Sequence, residues 1–302
     1  MKIRDAWLVS FFSVVVTINS TAQDDPLDAL KQSAQKGDAT AECQLADLYR
    51  TGQAVQQDFN EAVKWYKLAA VQGNTDAQTN LGTMYHLGFG VRKDDAEAVK
   101  WYRVPAEQGD PAAEFMLAQI YKEGDGVKQD LPEAVRLLEK SVNQGFGPAS
   151  PALGELYYKG KGVPQDYSKA MQLLLPAASN GDPLSQLLVG LMYKSGSGTK
   201  QNLTESAKWI ARSAEWGLVP AQLEYGAMLR DGTGVGRNDV EAYRWFFIAS
   251  ERGDAESKSK ASAALKTMQT DLSSDQIATA KKEAIAWLNS RTPSYPRHFS
   301  QN

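Results

Sequence analysis

The sequence predicts an all-α protein, an α-solenoid wound as a right-handed superhelix of six helix-turn-helix repeats, with capping helices at both ends. Three observations carry this prediction. The stretch Tyr121–Asp130 recurs every 36 residues without insertion or deletion. Apolar residues recur at helical spacing on both sides of it, and glycines recur where the predicted helices end. The other copies of the stretch are Tyr49–Asp58, Tyr85–Asp94, Tyr157–Asp166, Tyr193–Asn202 and Leu229–Asn238.

The first helix of each repeat is predicted from an apolar stripe that stops at a glycine. In the first repeat, Ala41, Leu45 and Tyr49 lie four residues apart, on one side of a helix. Later repeats carry two glycines in the loop that follows, as Gly124 and Gly126 do in the third repeat. Two glycines so close together permit a tight loop that side chains would obstruct, so we interpret both as structural.

The second helix of each repeat is predicted to begin at an aspartate or asparagine that caps it. In the third repeat this residue is Asp130, and Glu133 follows three residues later. This spacing predicts a capping box, in which each side chain bonds the other residue's backbone N–H, in five of the six repeats. The second helix carries its own apolar stripe, so one hairpin has two apolar surfaces, which only a stack of hairpins can cover.

The repeats are predicted to occupy residues 39–254, divided as 39–74, 75–110, 111–146, 147–182, 183–218 and 219–254. Residues 23–38 align with a second helix and predict a half-repeat that caps the amino-terminal end. Residues 255–290 predict carboxy-terminal capping helices, the last of them opened by a capping box of Ser273 and Gln276. Residues 291–302, with two prolines, predict a flexible tail.

The amino terminus predicts a cleaved signal peptide at residues 1–22. Lys2 and Arg4 precede a short apolar segment, residues 7–18, and small residues lead to a cleavage site after Ala22. The apolar segment is shorter than the roughly 20 residues that a membrane span needs. We therefore expect an exported, periplasmic protein, with secretion as the alternative location.

The composition argues against several classes of function. The formal net charge is −3, which does not favour a nucleic-acid partner. The single cysteine, Cys43, excludes an internal disulfide, and the two histidines, His86 and His298, show no metal-ligand spacing. His86 also has no carboxylate or nucleophile in an obvious arrangement around it. We expect no metal, cofactor or small-molecule substrate, and we expect a monomer.

Residues that the repeat pattern does not require are the candidates for function. Three columns of first-helix residues lie opposite the apolar stripe and should line a concave groove. One contains leucines in the fifth and sixth repeats, and another is mostly basic, so we expect an apolar patch beside a basic edge that binds an acidic, amphipathic protein segment. The candidate partner-binding residues are Phe115, Gln119, Lys122, Glu155, Tyr158, Leu187, Leu191, Lys194, Leu223 and Arg230. The alternative is that the leucines pack against one another and the basic edge is merely solvated.

Trp216 is a second candidate, because it stands in a column that is otherwise polar and should be an exposed aromatic residue. Enzymatic motifs are weak by comparison. Ser-x-x-Lys, the nucleophile motif of serine β-lactamases, occurs at residues 33–36 and 257–260, but its supporting motifs do not occur. We expect no catalytic activity, with a β-lactamase-like hydrolase as a remote alternative.

The period resembles the Sel1-like repeat, a relative of the tetratricopeptide repeat. The matching pattern is Ala-x-x-x-Leu-Gly-x-x-Tyr-x-x-Gly-x-Gly-Val-x-x-Asp, then Ala-x-x-Trp-Tyr-x-x-Ala-Ala-x-x-Gly, and residues 77–109 follow it most closely. This resemblance implies a non-catalytic scaffold for protein–protein interaction. In exported bacterial members it further implies an immunity protein against a secreted toxic effector, a regulator of a membrane sensor, or a host-contact or envelope-assembly factor.

Overall fold

The computed structural model describes residues 25–124 and 126–290, and in these residues the chain forms a solenoid of helical repeats with fifteen helices. Apart from the terminal helices, the helices pair into the six predicted hairpins. In order they are α1 Pro26–Gln35, α2 Ala39–Thr51, α3 Phe59–Val71, α4 Thr75–Leu87, α5 Asp95–Glu107, α6 Pro111–Glu123, α7 Leu131–Asn143, α8 Ala149–Lys159, α9 Tyr167–Ser179, α10 Pro183–Ser195, α11 Leu203–Glu215, α12 Val219–Asp231, α13 Asp239–Arg252, α14 Ala255–Met268 and α15 Ser274–Ser290.

The helices group into two compact units. Within the described residues, the amino-terminal unit comprises 25–152 and 161–163, and the carboxy-terminal unit comprises 153–160 and 164–290. No helix in these residues is long and apolar enough to cross a membrane. The predicted signal peptide, the predicted tail and His298 lie outside the described residues.

The loop glycines have two separate reasons to be glycine. Gly124 ends α6 with φ 75° and donates its N–H to the Ile120 carbonyl at 2.9 Å, a left-handed helix end that glycine adopts without strain. Gly126 also has a positive φ, 69°, but a side chain there would meet a different obstacle. Its Cβ would lie 2.9 Å from the backbone nitrogen of Ala96, at the start of the previous repeat's second helix. The second glycine therefore lets successive repeats approach each other.

In the repeats, only one of the two hydrogen bonds of each predicted capping box forms. The Asp130 carboxylate accepts a hydrogen bond from the Glu133 N–H at 3.0 Å, as predicted. The Asp130 N–H, however, donates to the Tyr121 carbonyl of the preceding helix at 2.9 Å. Glu133 instead binds Arg136, with a nitrogen–oxygen distance of 2.7 Å. The tight loop supplies a backbone acceptor, so the glutamate is not needed for capping. The same backbone bond recurs at Asp58, Asp94, Asp166, Asn202 and Asn238.

The carboxy-terminal helices α14 and α15 close the end of the carboxy-terminal unit. The box predicted at Ser273 and Gln276 is complete, with reciprocal bonds of 2.9 and 3.2 Å. Ala280 and Ala284 of α15 are fully buried in the core that α13 also lines. The Trp287 indole N–H donates to Glu215 at 3.1 Å and so fixes α15 against α11.

Candidate functional site

The predicted groove residues form three columns on the first helices of the hairpins, and we call this surface the first-helix face. Residues of its first column contact a residue that precedes the first helix of the next repeat. The Thr79 hydroxyl donates to Asp110 at 2.8 Å. The Phe115 ring centre lies 5.5 Å from that of Phe146, which occupies the position of Asp110 one repeat later. The first column therefore packs against the segment that leads into the next first helix, so Phe115 already has a structural partner.

Leu187 follows the same rule, and its predicted exposure is wrong. It is only 7% exposed and shares a buried cluster with Leu218, the counterpart of Phe146 two repeats on. Leu191 and Leu223 pack against this cluster but are only half-buried. Leu191 and Leu223 therefore keep accessible apolar surface on the first-helix face of the carboxy-terminal unit.

The basic column is not an uncompensated basic edge, because carboxylates neutralise most of it. The pairs are Arg50 with Asp47 at 3.0 Å, Lys194 with Glu224, and Arg230 with Asp231 at 2.7 Å. Such pairs already satisfy the cations, so an acidic partner gains little from them. The expectation of an acidic partner segment thus loses its electrostatic basis.

The remaining candidates on this face are half-buried polar residues. They are Gln119, Lys122, Glu155 and Tyr158. Glu155 pairs with Lys159 at 2.5 Å. The Tyr158 ring meets Tyr167 edge-on with ring centres 5.6 Å apart, and burial raises the pKa of its phenol, which is therefore neutral at physiological pH. Glu155 and Tyr158 therefore offer hydrogen bonds rather than net charge.

His86 has a buried carboxylate partner that the sequence reasoning missed. Its Nδ1 lies 2.5 Å from Asp95, and Lys93 reaches the other carboxylate oxygen of Asp95 at 3.0 Å. Four repeats carry an apolar residue at the position of Asp95, and most other repeats carry glutamine at the position of Lys93. These two departures from the repeat, only two residues apart, are the sequence signal that could have revealed the His86–Asp95 pair. His86 is only 5% exposed, which keeps its imidazole from a substrate.

Asp95 and Lys93 border an open depression of about 840 Å³ at the loop edge of the amino-terminal unit. Its other lining residues are Tyr85, Val91, Arg92, Asp94 and Gly126. Asp94 caps α5, and Gly126 belongs to the contact between successive repeats. The lining residues are thus largely engaged in the architecture.

Cys43 is structural in this fold. It is 6% exposed, and burial, with smaller contributions from Asp47 and Asp76, raises its thiol pKa to about 12. The thiol is therefore protonated at neutral pH and a poor nucleophile. Within residues 25–124 and 126–290, no group of three or more His, Cys, Asp or Glu side chains could hold a metal ion.

The two Ser-x-x-Lys matches do not assemble a serine–lysine pair. The Ser33 hydroxyl donates to Asp38 at 3.2 Å, where Asp38 caps α2. In the second match Lys260 pairs with Glu256 at 2.6 Å. Each motif therefore falls on helix-stabilising contacts.

Trp216 directly follows α11 and is 53% exposed. It lies beside Gly181, where an added Cβ would be 3.9 Å from the indole ring. Its column is otherwise Gln, Asn or Arg, so no repeat contact requires a tryptophan here. Exposed tryptophans are enriched where proteins bind one another.

Comparison with known proteins identifies the repeat. The model of the Sel1 repeat matches residues 39–74, 75–110, 111–146, 152–182, 183–217 and 219–254, which together make up most of the chain. A search of curated proteins found no match.

Solved structures agree with the repeat. A protective antigen of uropathogenic Escherichia coli with an SLR fold is 29% identical with a TM-score of 0.77, over 88% of this chain and 56% of that one. The present chain thus spans little more than half the length of that protein. A Sel1 repeat protein from Oxalobacter formigenes is also 29% identical, with a TM-score of 0.61, over 74% of this chain and 93% of that one. An immunity protein from Pseudomonas aeruginosa matches with only 17% identity and a TM-score of 0.36, over 92% and 89%.

Proposed function

This chain belongs to the Sel1 repeat family, whose members are protein-interaction scaffolds, and from that premise we propose that it is an exported, non-catalytic scaffold that binds a partner protein and controls it by occlusion. The binding surface is the first-helix face of the carboxy-terminal unit. The partner is a secreted effector or the periplasmic domain of a membrane protein. In the first case the chain acts as an immunity protein, and in the second as a regulator.

The observation that carries this proposal is the half-buried pair Leu191 and Leu223, which keep some accessible surface. Repeats one to four place Asp, Thr, Gln and Glu at the position of Leu191, so the fold does not need a leucine there. Both leucines keep accessible surface although a buried cluster lies directly beneath them. An apolar centre seated on a rigid core and bordered by polar residues is the arrangement that interface hot spots favour.

The charges around the two leucines point to the chemistry of the partner segment. Lys194 is bound to Glu224, and Arg230 is bound to Asp231. A partner would have to displace these ion pairs to use their charge, whereas it can cover the leucines without breaking any contact. We therefore expect an apolar, weakly charged partner segment and an affinity that changes little with salt.

Site-specific photocrosslinking tests this proposal. A photoreactive residue at position 191 should capture one protein from envelope extracts, and the same residue at position 203 should not. Leu203 is the matched control, because it is 37% exposed but lies at the start of α11, a second helix.

The captured protein should then be purified and its affinity measured. Leu191→Ser with Leu223→Ser should weaken binding by about thirtyfold, equivalent to roughly 2 kcal/mol at a hot spot. Leu203→Ser should leave the affinity unchanged. Circular dichroism must show that each variant is folded. Wild-type affinity in the folded double variant would refute the assigned surface.

Export has a separate test. We expect the protein recovered from the periplasmic fraction to begin at residue 23, after removal of residues 1–22. A chain that retains residues 1–22 and stays in the cytoplasmic fraction would contradict an exported role and leave the first-helix face to be judged by its own experiment.

A further inference from the structure

The first helix of the fourth repeat begins later than the first helices of the other repeats. Those five are each 13 residues long and begin directly after the cap position, as α6 begins at Pro111 after Asp110. By the 36-residue period, the first helix of the fourth repeat should begin at residue 147. Instead α8 begins at Ala149 and is 11 residues long. About half a helical turn is therefore missing from its start.

The backbone hydrogen bonds at the start of α8 show the same irregularity. In the third repeat, the Glu114 N–H donates to the carbonyl four residues back at 3.0 Å, as in an α-helix. The equivalent donor of the fourth repeat, Ser150, reaches the Gly147 carbonyl, only three residues back, at 3.4 Å. The Ala149 N–H also spans three residues, to the Phe146 carbonyl at 3.0 Å. Bonds of this span have poorer geometry, and 3.4 Å exceeds the usual limit of roughly 3.2 Å, so the first turn of α8 is weakly held.

The sixth repeat shows that a missing cap does not cause the late start. Leu218, at the cap position of α12, makes no side-chain hydrogen bond, and Phe146 has no side-chain oxygen to offer. Pro220 and Pro148 also occupy the same position of the two repeats. Even so, α12 has its full 13 residues, and its Gln222 N–H donates four residues back at 3.0 Å. Another residue must therefore shorten α8.

Pro151 accounts for the difference. The other repeats carry Cys43, Thr79, Phe115, Leu187 and Leu223 at its position. Proline has no N–H, and inside a helix its ring clashes with the carbonyl four residues back, which here is that of Gly147. By beginning at Ala149, α8 places Pro151 in its first turn, where an N–H would have no helical partner. Gly147 adds to the effect, because glycine is a poor helix former and no other repeat has it at this position.

The boundary between the two compact units falls in this same helix, between residues 152 and 153. Each repeat of an array is stabilised by its neighbours, so unfolding is cooperative only along an unbroken run of well-formed repeats. Segments with weak backbone bonds open at lower free energy than the rest of a structure. The weakly held turn of α8 therefore lies where cooperativity along this array is most easily interrupted.

From these observations we propose that the first turn of α8 is a built-in breakpoint, at which the solenoid opens locally and divides into two units that unfold separately. One unit can then lose its structure while the other stays folded. The surface around Leu191 and Leu223 lies wholly in the carboxy-terminal unit, so it persists when the amino-terminal unit unfolds. This inference goes beyond the proposed partner binding and does not depend on it.

Hydrogen exchange of the full chain, followed by NMR, tests the local opening. After correction for intrinsic rates, the Ser150 amide should exchange at least about tenfold faster than that of Gln222, its equivalent in α12. Pro151→Ala should slow the exchange of Ser150 by at least about tenfold, because alanine allows the helix to begin at residue 147. Pro148→Ala is the matched control and should not slow it, because α12 is complete with a proline at that position.

Urea unfolding, followed by hydrogen exchange and mass spectrometry of peptides from each unit, tests the separate unfolding. The two units of the wild type should show different urea midpoints, and Pro151→Ala should bring the midpoints closer together. Circular dichroism checks that each variant is folded. Should Pro151→Ala not fold, the comparison of Ser150 with Gln222 in the wild type still decides the local opening.

Three results would overturn the proposal. The first is equal exchange of Ser150 and Gln222 in the wild type. The second is a single urea midpoint shared by peptides of both units. The third is a folded Pro151→Ala variant in which Ser150 exchanges as fast as in the wild type.

Discussion

Glu114 offers a demanding test of the buried polar contacts in this fold. It lies on α6, is 1% exposed, and accepts a hydrogen bond from the Gln144 amide at 2.8 Å. Burial raises the pKa of its carboxyl group, an effect that nearby Lys140 only partly offsets. The carboxylate is therefore held where its charged form is less stable than in water.

Glu114→Gln should stabilise the protein at neutral pH. The chain uses glutamine at the same position in other repeats, where Gln78 and Gln186 donate to the carbonyls of Ala70 and Ala178 at 3.0 Å. A glutamine at position 114 can keep accepting from Gln144 and can donate in the same way. Removing the buried charge and adding one hydrogen bond should together raise the free energy of unfolding by about 1 to 2 kcal/mol.

The raised pKa of Glu114 also predicts how the stability gained by Glu114→Gln changes with pH. A raised folded-state pKa means that the folded protein holds the proton more tightly. That contribution to stability is fully present below the unfolded pKa and is lost as pH rises through the folded pKa. Glu114→Gln does not lose stability in this way. The difference in unfolding free energy between the variant and the wild type should therefore be largest at pH 7 and smaller at about pH 4, near the ordinary pKa of glutamate.

Urea unfolding at these two pH values, followed by circular dichroism, measures the difference. Gln78→Glu is the reciprocal control and should lower stability at pH 7, because it loses the bond to Ala70 and adds a carboxylate at a site that is 8% exposed. Equal stability of Glu114→Gln and the wild type at pH 7 would refute the reasoning. An advantage that stays the same at both pH values would refute the assignment to charge.

Two further predictions test the loops and the thiol. Gly126→Ala should lower the unfolding free energy by more than about 2 kcal/mol, because the new Cβ would meet the Ala96 nitrogen at 2.9 Å. Gly145→Ala is the control: it has open space around it and should lower the unfolding free energy by only about 1 kcal/mol, because of its positive φ. Equal losses would mean that contact between repeats does not constrain Gly126. Cys43, with a pKa of about 12, should resist a thiol-specific disulfide reagent in native protein and react fully in urea, and rapid native labelling would contradict its burial.

The sequence was sufficient to predict the hairpins because their determinants are local. A left-handed glycine such as Gly124 and an aspartate cap such as Asp130 act within a few residues of themselves, and the structure has both. The second bond of the predicted capping box, from the Asp130 N–H to the Glu133 side chain, does not form, and the reason lies outside that helix. The folded loop brings the Tyr121 carbonyl to the Asp130 N–H, and the competing acceptor becomes visible only once the hairpin is closed.

The candidate site was harder to predict, because helical periodicity places a side chain relative to its own helix alone. It set Phe115 and Leu187 opposite the apolar stripe but could not show that Phe146 and Leu218, which precede the first helix of the next repeat, pack on the same side. The His86–Asp95 pair was missed for a related reason. Its members stand in different columns, and each looked like an isolated exception until the fold joined them.

The contacts of the first column lie inside single repeats. Phe115 and Phe146, for example, both belong to residues 111–146. A repeat that is duplicated or deleted would therefore carry its own pair with it. The contact that crosses a repeat boundary at the loop is made with backbone, since an added Cβ at Gly126 would meet the Ala96 nitrogen of the previous repeat. Because this contact needs only a glycine on one side and backbone on the other, descendants of such a chain can gain or lose whole 36-residue repeats by recombination without a mismatch of side chains at the loops.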